Sequence, residues 1–222
     1  MSYMWNEFNI KTFPAETIVY RDGKYCPELS TLEDKTINKK YDLPVHIIYI
    51  GEITGKNQLN IDTVVENQEI ILTVKIINKT PAFFNIFIKN TGKNTKINGK
   101  VFIENFSELT FDCTTNHLYK NTDIFVKNKI YAAKNSKSIL SGTAIINKDC
   151  ENCGSDLSFV AMTEEGAKID FMPAQRISSV PKQAEHSASI YNPTDAQTLY
   201  LRQAGLSIIE IKNVTKEAFL ND

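Results

Sequence analysis

The adjacent pair Glu185 and His186 has the chemistry of a metal-binding site. A neutral imidazole is a common iron or zinc ligand, and a neighbouring carboxylate can hold its tautomer or add an oxygen ligand. Successive residues of a strand face opposite sides, so the two side chains can share one face only at a bulge. The alternative interpretation is a surface histidine in an edge strand, stabilising a subunit contact by hydrogen bonding.

Cys150 and Cys153 form a Cys-x-x-Cys pair, a spacing typical of metal turns and of redox-active thiols. Such a pair is half of a zinc site, for which Cys113 and His117 could supply the other half. The simpler interpretation is two cysteines in a corner of the fold. Because soft thiolates suit iron and sulfur, transient handling of a cluster or of sulfur is the second interpretation.

No catalytic set is visible in the 222 residues. There is no Walker-type glycine loop, and no histidine has a serine or cysteine neighbour in a nucleophile motif. A net charge of −1 argues against a general nucleic-acid binder. The short apolar runs predict neither a secretory signal nor a membrane span. Four cysteines without a signal then indicate a reduced, cytoplasmic protein.

Short β-branched segments recur from residue 43 to residue 190, separated by Asn, Gly, Lys and Asp, which tolerate turns. No helical periodicity competes with this pattern before Pro193. We predict strands at residues 45–50, 70–77, 83–88, 96–103, 109–113, 123–131, 139–146 and 184–190.

Two all-β architectures suit this pattern. One is an antiparallel sandwich, and the other is a parallel β-solenoid whose turns stack around a continuous aliphatic core. The strands are short with Ile and Val at alternate positions, many connections hold Asn or Gly suited to sharp corners, and helices come only at the end. These three details favour the solenoid.

Two short helices are predicted after Pro193. Thr194-x-x-Gln197 and Ser207-x-x-Glu210 each have the pattern of a capping box. Gly205 suits a left-handed C-terminal cap, so the first helix should end near Ala204. The apolar faces comprise Ala196, Leu199 and Tyr200 in the first helix and Ile211, Val214, Ala218 and Phe219 in the second.

The chain therefore divides into three predicted parts. Residues 1–42 form an irregular segment that covers the core, residues 43–190 form the β-helix domain, and residues 191–222 form the helical segment. Within the first part, the residues expected to fold back, either as a strand or as a cover over one end of the core, are Trp5, Phe8, Ile10 and Phe13.

The second half of the sequence resembles the core domain of the SufB/SufD family. The matching segments are Asn121-Thr122, residues 137–146 with Gly142, residues 166–177, residues 184–189, residues 199–206 and Phe219, with a weaker match at residues 19–23 and 29–30. The most specific features are a histidine in a small-residue strand, Ala184-Glu185-His186-Ser187-Ala188-Ser189, and a helix end with the pattern Tyr-Leu-x-x-x-Gly-Leu.

The resemblance implies a right-handed parallel β-helix with a C-terminal helical piece, and a non-catalytic role in iron–sulfur cluster assembly. A SufC-like ABC ATPase would dock on the C-terminal helices. The end of the β-helix around Glu185 and His186 would pair with a SufB-like subunit or a second copy, holding a transient iron–sulfur cluster and no stably bound cofactor. The docking residues implied are Leu199, Tyr200, Arg202, Gly205, Leu206, Glu210 and Phe219.

Several features depart from the family pattern. Ala167 stands about where SufB-type proteins carry a cysteine, which makes the chain SufD-like at that place. Glu185 before His186 is more like SufB, and Ala204 replaces an arginine usual in that helix end. The long helical N-terminal region of typical members is lacking, which suggests a compact form. The alternatives are a diverged member without cluster chemistry and a β-helical carbohydrate-active or carbohydrate-binding protein.

Overall fold

A parallel β-solenoid of about six turns dominates the structure, a computed structural model that describes residues 16–32 and 40–221. The prediction of a solenoid over a sandwich is confirmed. The strands are β1 Glu16–Arg21, β2 Lys24–Tyr25, β3 Val45–Thr63, β4 Glu69–Asn90, β5 Lys96–Asn105, β6 Glu108–His117, β7 Asp123–Ala132, β8 Lys137–Ile146, β9 Gly154–Thr163, β10 Lys168–Ile177 and β11 Gln183–Ile190. A 3-10 helix spans Pro27–Leu29, and the α-helices are α1 Asp195–Gln203 and α2 Ile208–Asn221.

The solenoid has two parallel faces because each turn contributes one strand to either side. The first face stacks β1, the first halves of β3 and β4, and then β5, β7, β9 and β11. The second face stacks the second halves of β3 and β4, and then β6, β8 and β10. Among the described strands, β2 is the one that pairs antiparallel, with β1.

The alternation of apolar and polar residues explains the stacking. In-register pairing places Ile70, Ile97 and Ile124 directly above one another, all fully buried. Aromatic rings form a second column, in which the Phe84 ring centroid lies 5.3 Å from that of Tyr49 and 5.9 Å from that of Phe111. Burying such columns drives the folding of the chain into a continuous core.

Asparagines form the corners of the solenoid. Asn67, Asn94, Asn121 and Asn152 all have positive φ, a conformation that asparagine tolerates better than most residues. Their side chains also bond between turns. The Asn94 amide donates to Asn67 Oδ1 at 3.0 Å, and the Asn152 amide donates to Asn121 Oδ1 at 2.9 Å. These ladders confirm the prediction that asparagine marks sharp, stacked corners.

Every predicted strand lies within an observed one, and the structure adds strands that the pattern did not indicate. β2, β9, β10 and the second half of β3 were not among the predicted strands, and β1 forms part of the solenoid although it lies in the segment expected to be irregular. The predicted cover formed by Trp5, Phe8, Ile10 and Phe13 lies outside the described residues.

Both C-terminal helices have the predicted caps. The Thr194 hydroxyl accepts from Gln197 N and the Ser207 hydroxyl from Glu210 N, with the reciprocal side-chain bonds present in each box. The first helix ends at Gln203, followed by Gly205 at φ 92°. In the part of the chain that the structure describes, neither helix is long and apolar enough to cross a membrane.

Candidate functional site

The last turn of the solenoid leaves two strands with an unpaired edge. Within the described residues, β10 pairs only with β8 and β11 only with β9, so each face ends in a free row of backbone groups. We call these two strands the end rung. Glu185 and His186 lie in the middle of β11, on the end rung of the first face.

Glu185 and His186 point to opposite sides of β11, because its pairing with β9 runs without a bulge. His186 is in register with Leu157, which is fully buried in the core. Its imidazole therefore belongs to the inward face, yet it is exposed because no further rung covers it. Glu185 is in register with Asp156 on the outward face, and burial together with the Glu185 carboxylate raises the pKa of Asp156.

The direction of the backbone groups on β11 follows from two hydrogen bonds. Gln183 N and Tyr191 N both donate to β9, to Cys153 O at 3.4 Å and Ala161 O at 2.8 Å. Odd-numbered residues of β11 thus bond to β9, and even-numbered ones direct N–H and C=O to the free edge. Those residues are Ala184, His186, Ala188 and Ile190. All four keep their N–H, so the edge can accept another strand.

The free edge of β10 is different because it contains a proline. Lys168 N and Ser178 N donate to the β8 side, to Ser136 O and Ile146 O at 2.9 Å each. Even-numbered residues therefore bond to β8, and Pro173 lies on the free side at the middle of the strand. Proline has no N–H, and natural proteins use it to blunt sheet edges. The end rung is thus open on the first face and blunted on the second.

His117, Cys150 and Cys153 meet at one corner of the solenoid through Thr122. His117 Nδ1 lies 2.7 Å from Thr122 Oγ1, which lies 3.2 Å from Cys153 Sγ. The Cys150 thiol donates to His117 O at 3.3 Å, and the Cys153 thiol donates to Tyr119 O at 3.2 Å. The structure therefore brings together three of the four residues proposed as a metal or thiol site.

Cys113 does not join this corner. It lies four residues from His117 along β6, about 13 Å away, inside the aliphatic core. Across residues 16–32 and 40–221, no three His, Cys, Asp or Glu side chains are arranged to hold a metal ion. Burial raises the pKa of both Cys113 and Cys150, with Cys153 adding to the effect on Cys150. The buried thiols of Cys150 and Cys153, each bonded to a backbone carbonyl, favour the simpler interpretation of a structural corner.

The buried imidazole of His117 makes the stability of this corner depend on pH. Burial lowers the pKa of His117 to about 4 from an ordinary 6.5, although Asp123 pulls it upward. The His117 imidazole binds a proton near pH 6.5 in the unfolded chain but only near pH 4 in the folded protein. The contribution of His117 to the free energy of unfolding is therefore complete above pH 6.5 and is lost as the pH falls from 6.5 towards 4.

We expect His117 to remove up to about 3 kcal/mol of unfolding free energy between pH 6.5 and pH 4. Urea unfolding at pH 7.5, 5.5 and 4.5 should show a steeper loss of stability for the parent than for His117→Gln. The matched control is His186→Gln, which changes an exposed histidine and should keep the parent slope. Equal slopes for the parent and His117→Gln would contradict this assignment.

The second helix is anchored to the outer side of the first face. Phe219 and Leu220 pack against Phe102, Tyr131 and Met162, and the ring of Phe219 stacks on that of Tyr191 with centroids 6.1 Å apart. Buried charges complete the anchor. Lys129 Nζ donates to Phe219 O at 2.9 Å, in the last turn of α2, and Lys216 pairs with Glu104 at 3.0 Å. A cation at a helix C-terminus interacts favourably with the helix dipole and stabilises the helix.

The first helix has no buried residue and leaves an apolar surface exposed. We call the exposed large apolar side chains of α1 and of the first turn of α2 the helix face, which comprises Leu199, Tyr200, Ile208 and Ile209. Tyr200 and Ile209 are each more than two-thirds exposed, at 71% and 72%. An exposed cluster of large apolar side chains is typical of a protein interaction site.

The chain matches the family described as SUF system FeS cluster assembly, SufBD core domain, over residues 56–219, which is most of its length. The chain belongs to the SufB/SufD family. A search among characterised proteins finds no significant match. Membership supports a role in iron–sulfur cluster assembly by the SUF system, within a complex of SUF components.

The residues implied as docking positions by the family resemblance have different surroundings. Leu199, Tyr200 and Arg202 are exposed, and Leu206 is half-buried. Gly205 forms the cap, and the Glu210 carboxylate accepts from Ser207 N at 2.8 Å within its capping box. Phe219 is only 7% exposed and serves in the anchor of α2.

Sequence reasoning missed the residues that decide the geometry of this region. Pro173 was visible as a proline in a strand, a signal of an edge. Lys129 and Glu104 look like ordinary outward-facing residues of β7 and β5, and nothing local indicates that α2 covers them. Ile208 and Ile209 open α2 as an apolar pair, which the helical periodicity of the predicted apolar face did not include.

Proposed function

We propose that the chain is a non-catalytic partner subunit in SUF iron–sulfur cluster assembly. On this proposal β11 pairs edge to edge with a second copy of the chain or with a SufB-like subunit, and the helix face docks a SufC-like ATPase. The observation that carries the proposal is the open edge of β11, which presents an exposed histidine at its centre. The neighbouring edge of the end rung is closed to such pairing by Pro173.

Antiparallel pairing of two copies of β11 has one register that uses every free group. The edge-facing residues Ala184, His186, Ala188 and Ile190 must face edge-facing residues of the second copy. If all four edge-facing residues form interchain hydrogen bonds, Ala184 lies opposite Ile190 and His186 lies opposite Ala188. The two-fold axis then passes through Ser187. Such a pairing is isologous, as most dimer interfaces are.

The same register sets the distance between the two histidines. Facing residues share a side of the sheet, so both imidazoles lie on the inward face, as diagonal neighbours about 7–8 Å apart between Cα atoms. A small iron–sulfur cluster, the cargo of the complex, can lie between them. The neutral imidazole suits iron, and the remaining ligands come from cluster sulfide and from the partner. Glu185 lies on the outward face and supports the seam without contacting that cluster.

A proline at Ala188 should break the pairing and spare the fold. The N–H of Ala188 points to the free edge, so Ala188→Pro removes no bond to β9 and reproduces what Pro173 does on β10. Losing an interchain bond in both copies, with carbonyls left unpaired, should weaken pairing at least about tenfold. Sedimentation velocity over a range of concentrations, alone and with a co-expressed SufB-like subunit, measures this. Ala188→Ser keeps the N–H and is the matched control, and unchanged pairing of Ala188→Pro refutes the seam.

Changing His186 should separate cluster binding from pairing. The side chain of His186 lies on the inward face, whereas pairing uses its backbone, so His186→Ala should sediment like the parent. Complexes co-expressed with the host's SufB- and SufC-like proteins and purified without oxygen should contain less iron per complex. Glu185→Gln, on the opposite face, is the control and should retain iron. Equal iron in parent and His186→Ala would reduce His186 to an interface residue, and no iron in any complex would indicate a diverged member.

The division of α2 into an anchor and an exposed part supports docking at the helix face. Phe219 and Lys129 hold the end of the helix against the solenoid, so its beginning and all of α1 remain available. Apolar side chains held rigidly at a surface bind with a small entropy cost. The absence of a Walker-type loop in the sequence means that ATP hydrolysis in such a complex belongs to another subunit.

A charge in the helix face should weaken ATPase binding. Leu199 is 57% exposed on α1, and Leu199→Asp should lower the affinity for a SufC-like ATPase at least about tenfold by placing a carboxylate in an apolar contact. Leu43→Asp is the matched control, since Leu43 is 52% exposed at the far end of the solenoid. Binding is measured by calorimetry with purified proteins. If Leu199→Asp binds like Leu43→Asp, the helix face is not the dock.

A further inference from the structure

The end rung has two polar side chains on its inward face, those of Gln175 and His186. Its inward positions are the odd-numbered residues of β10 and the even-numbered residues of β11, because in-register pairing aligns them with the buried residues of β8 and β9. The other inward positions hold alanine, isoleucine, phenylalanine or proline. Gln175 is therefore the one polar neighbour that the described end rung offers to the imidazole on this side of the strands.

The carboxamide of Gln175 has an unused donor. Its Nε2 is shielded from water by the protein and has no hydrogen-bond partner among the described residues. Gln175 is in register with Ala144, which is 1% exposed, so the amide rests on the apolar core. A buried donor without a partner lowers stability, and a leucine in this place would avoid that loss. Because buried polar groups in native proteins are as a rule hydrogen-bonded, the unpaired amide indicates a use beyond packing.

One turn below the end rung, Gly142 of β8 faces Leu157 and Phe159 of β9 across the interior. A Cβ atom on Gly142 would lie only 2.8 Å from Leu157 Cδ2 and 2.7 Å from Phe159 Cζ. The pairing of β10 with β8 and of β11 with β9 continues without a register shift. The same facing positions are therefore repeated in the end rung.

In the end rung these positions hold Pro173 of β10 and, across from it, His186 and Ala188 of β11. The two faces run in opposite directions because the chain reverses at the corner between β10 and β11. One inward step towards that corner leads from Pro173 to Gln175 on one face and from Ala188 to His186 on the other. Gln175 and His186 thus occupy facing positions at the open end of the solenoid.

We infer that Gln175 positions the cargo bound at His186, by donating a hydrogen bond from Nε2 to a sulfide of the cluster. The inference rests on the proposed function and adds a positioning residue to it. A sulfide is anionic, and a hydrogen bond to a charged acceptor is stronger than one between neutral groups. The terminal torsion of glutamine is broad, so the amide can turn its N–H towards the open end. Glu185 cannot take this role because it lies on the outward face.

Gln175→Leu tests this role, since leucine fills the position without a donor. In complexes with the host's SufB- and SufC-like proteins, purified without oxygen, a chelator should remove iron from the variant at least about tenfold faster than from the parent. The reduction potential of the cluster should become more negative, because a donor to sulfide stabilises the reduced, more negative cluster. The isolated variant should unfold at the same urea concentration as the parent or at a higher one, because the unpaired donor is gone.

Thr115→Val is the matched control. Thr115 lies in the same inward column as Gln175, two turns from the end rung, and its Oγ1 is likewise buried without a partner among the described residues. Thr115→Val should keep the iron release and the potential of the parent. Parent-like values for Gln175→Leu, with iron present in both complexes, overturn the inference alone, as does a lower urea midpoint for Gln175→Leu, which would make the amide a structural group. A parent complex without iron overturns the inference and the proposed cluster role of His186 together.

Discussion

Each turn of this solenoid is held by backbone hydrogen bonds to the turn before it, and the whole structure depends on where that ladder stops. Backbone N–H and C=O groups that are shielded from water need partners within the protein, and those left at a free edge can pair with another strand. A strand in the interior of the solenoid has hydrogen-bond partners on both sides, whereas a strand of the end rung has them on one side. On β10 the problem is answered by Pro173, which removes a donor at the centre of the free edge. On β11 it is left open, and His186 lies in that open row.

The anchoring of α2 determines which part of the helical segment is available. Lys129 is only 4% exposed, and a buried ammonium without a partner would cost several kcal/mol. Here it donates to Phe219 O and lies 5.3 Å from the centroid of the Phe219 ring, so the end of α2 compensates for its burial. The anchor therefore uses Phe219, and the exposed apolar side chains of α1 and of the beginning of α2 remain free of it.

The corner with Cys150 and Cys153 links the interior of the solenoid to its open end. The thiol of Cys153 donates to Tyr119 O within the corner. The backbone carbonyl of Cys153 accepts from Lys182 N and Gln183 N, where β11 begins. Asn152, next to it, holds Val180 O. A pair of cysteines that looks like a redox or metal motif thus positions the turn before the free strand. Both thiols are buried and donate to backbone carbonyls, which suits this mechanical role better than chemistry.

Local sequence patterns were sufficient where local physics decides the structure. Alternating Ile and Val indicated the strands, asparagines marked the corners, and two capping boxes located the helices to within a residue. β9 was missed because Ser, Asp, Ala and Met have little preference for strands, and it forms because β7 offers it a template. The second half of β3 forms for the same reason, against β4.

For the site, the sequence by itself determined that Glu185 and His186 lie on opposite sides of one strand, since side chains alternate along any unbulged strand. It also indicated the family through the surrounding residues. Only the tertiary structure decided that this strand is the last described strand of its face and that Pro173 blunts the neighbouring edge. The physical reason is that a free edge is a property of neighbours. Whether an N–H is paired depends on the strand beside it, which in this fold lies about one turn away along the chain.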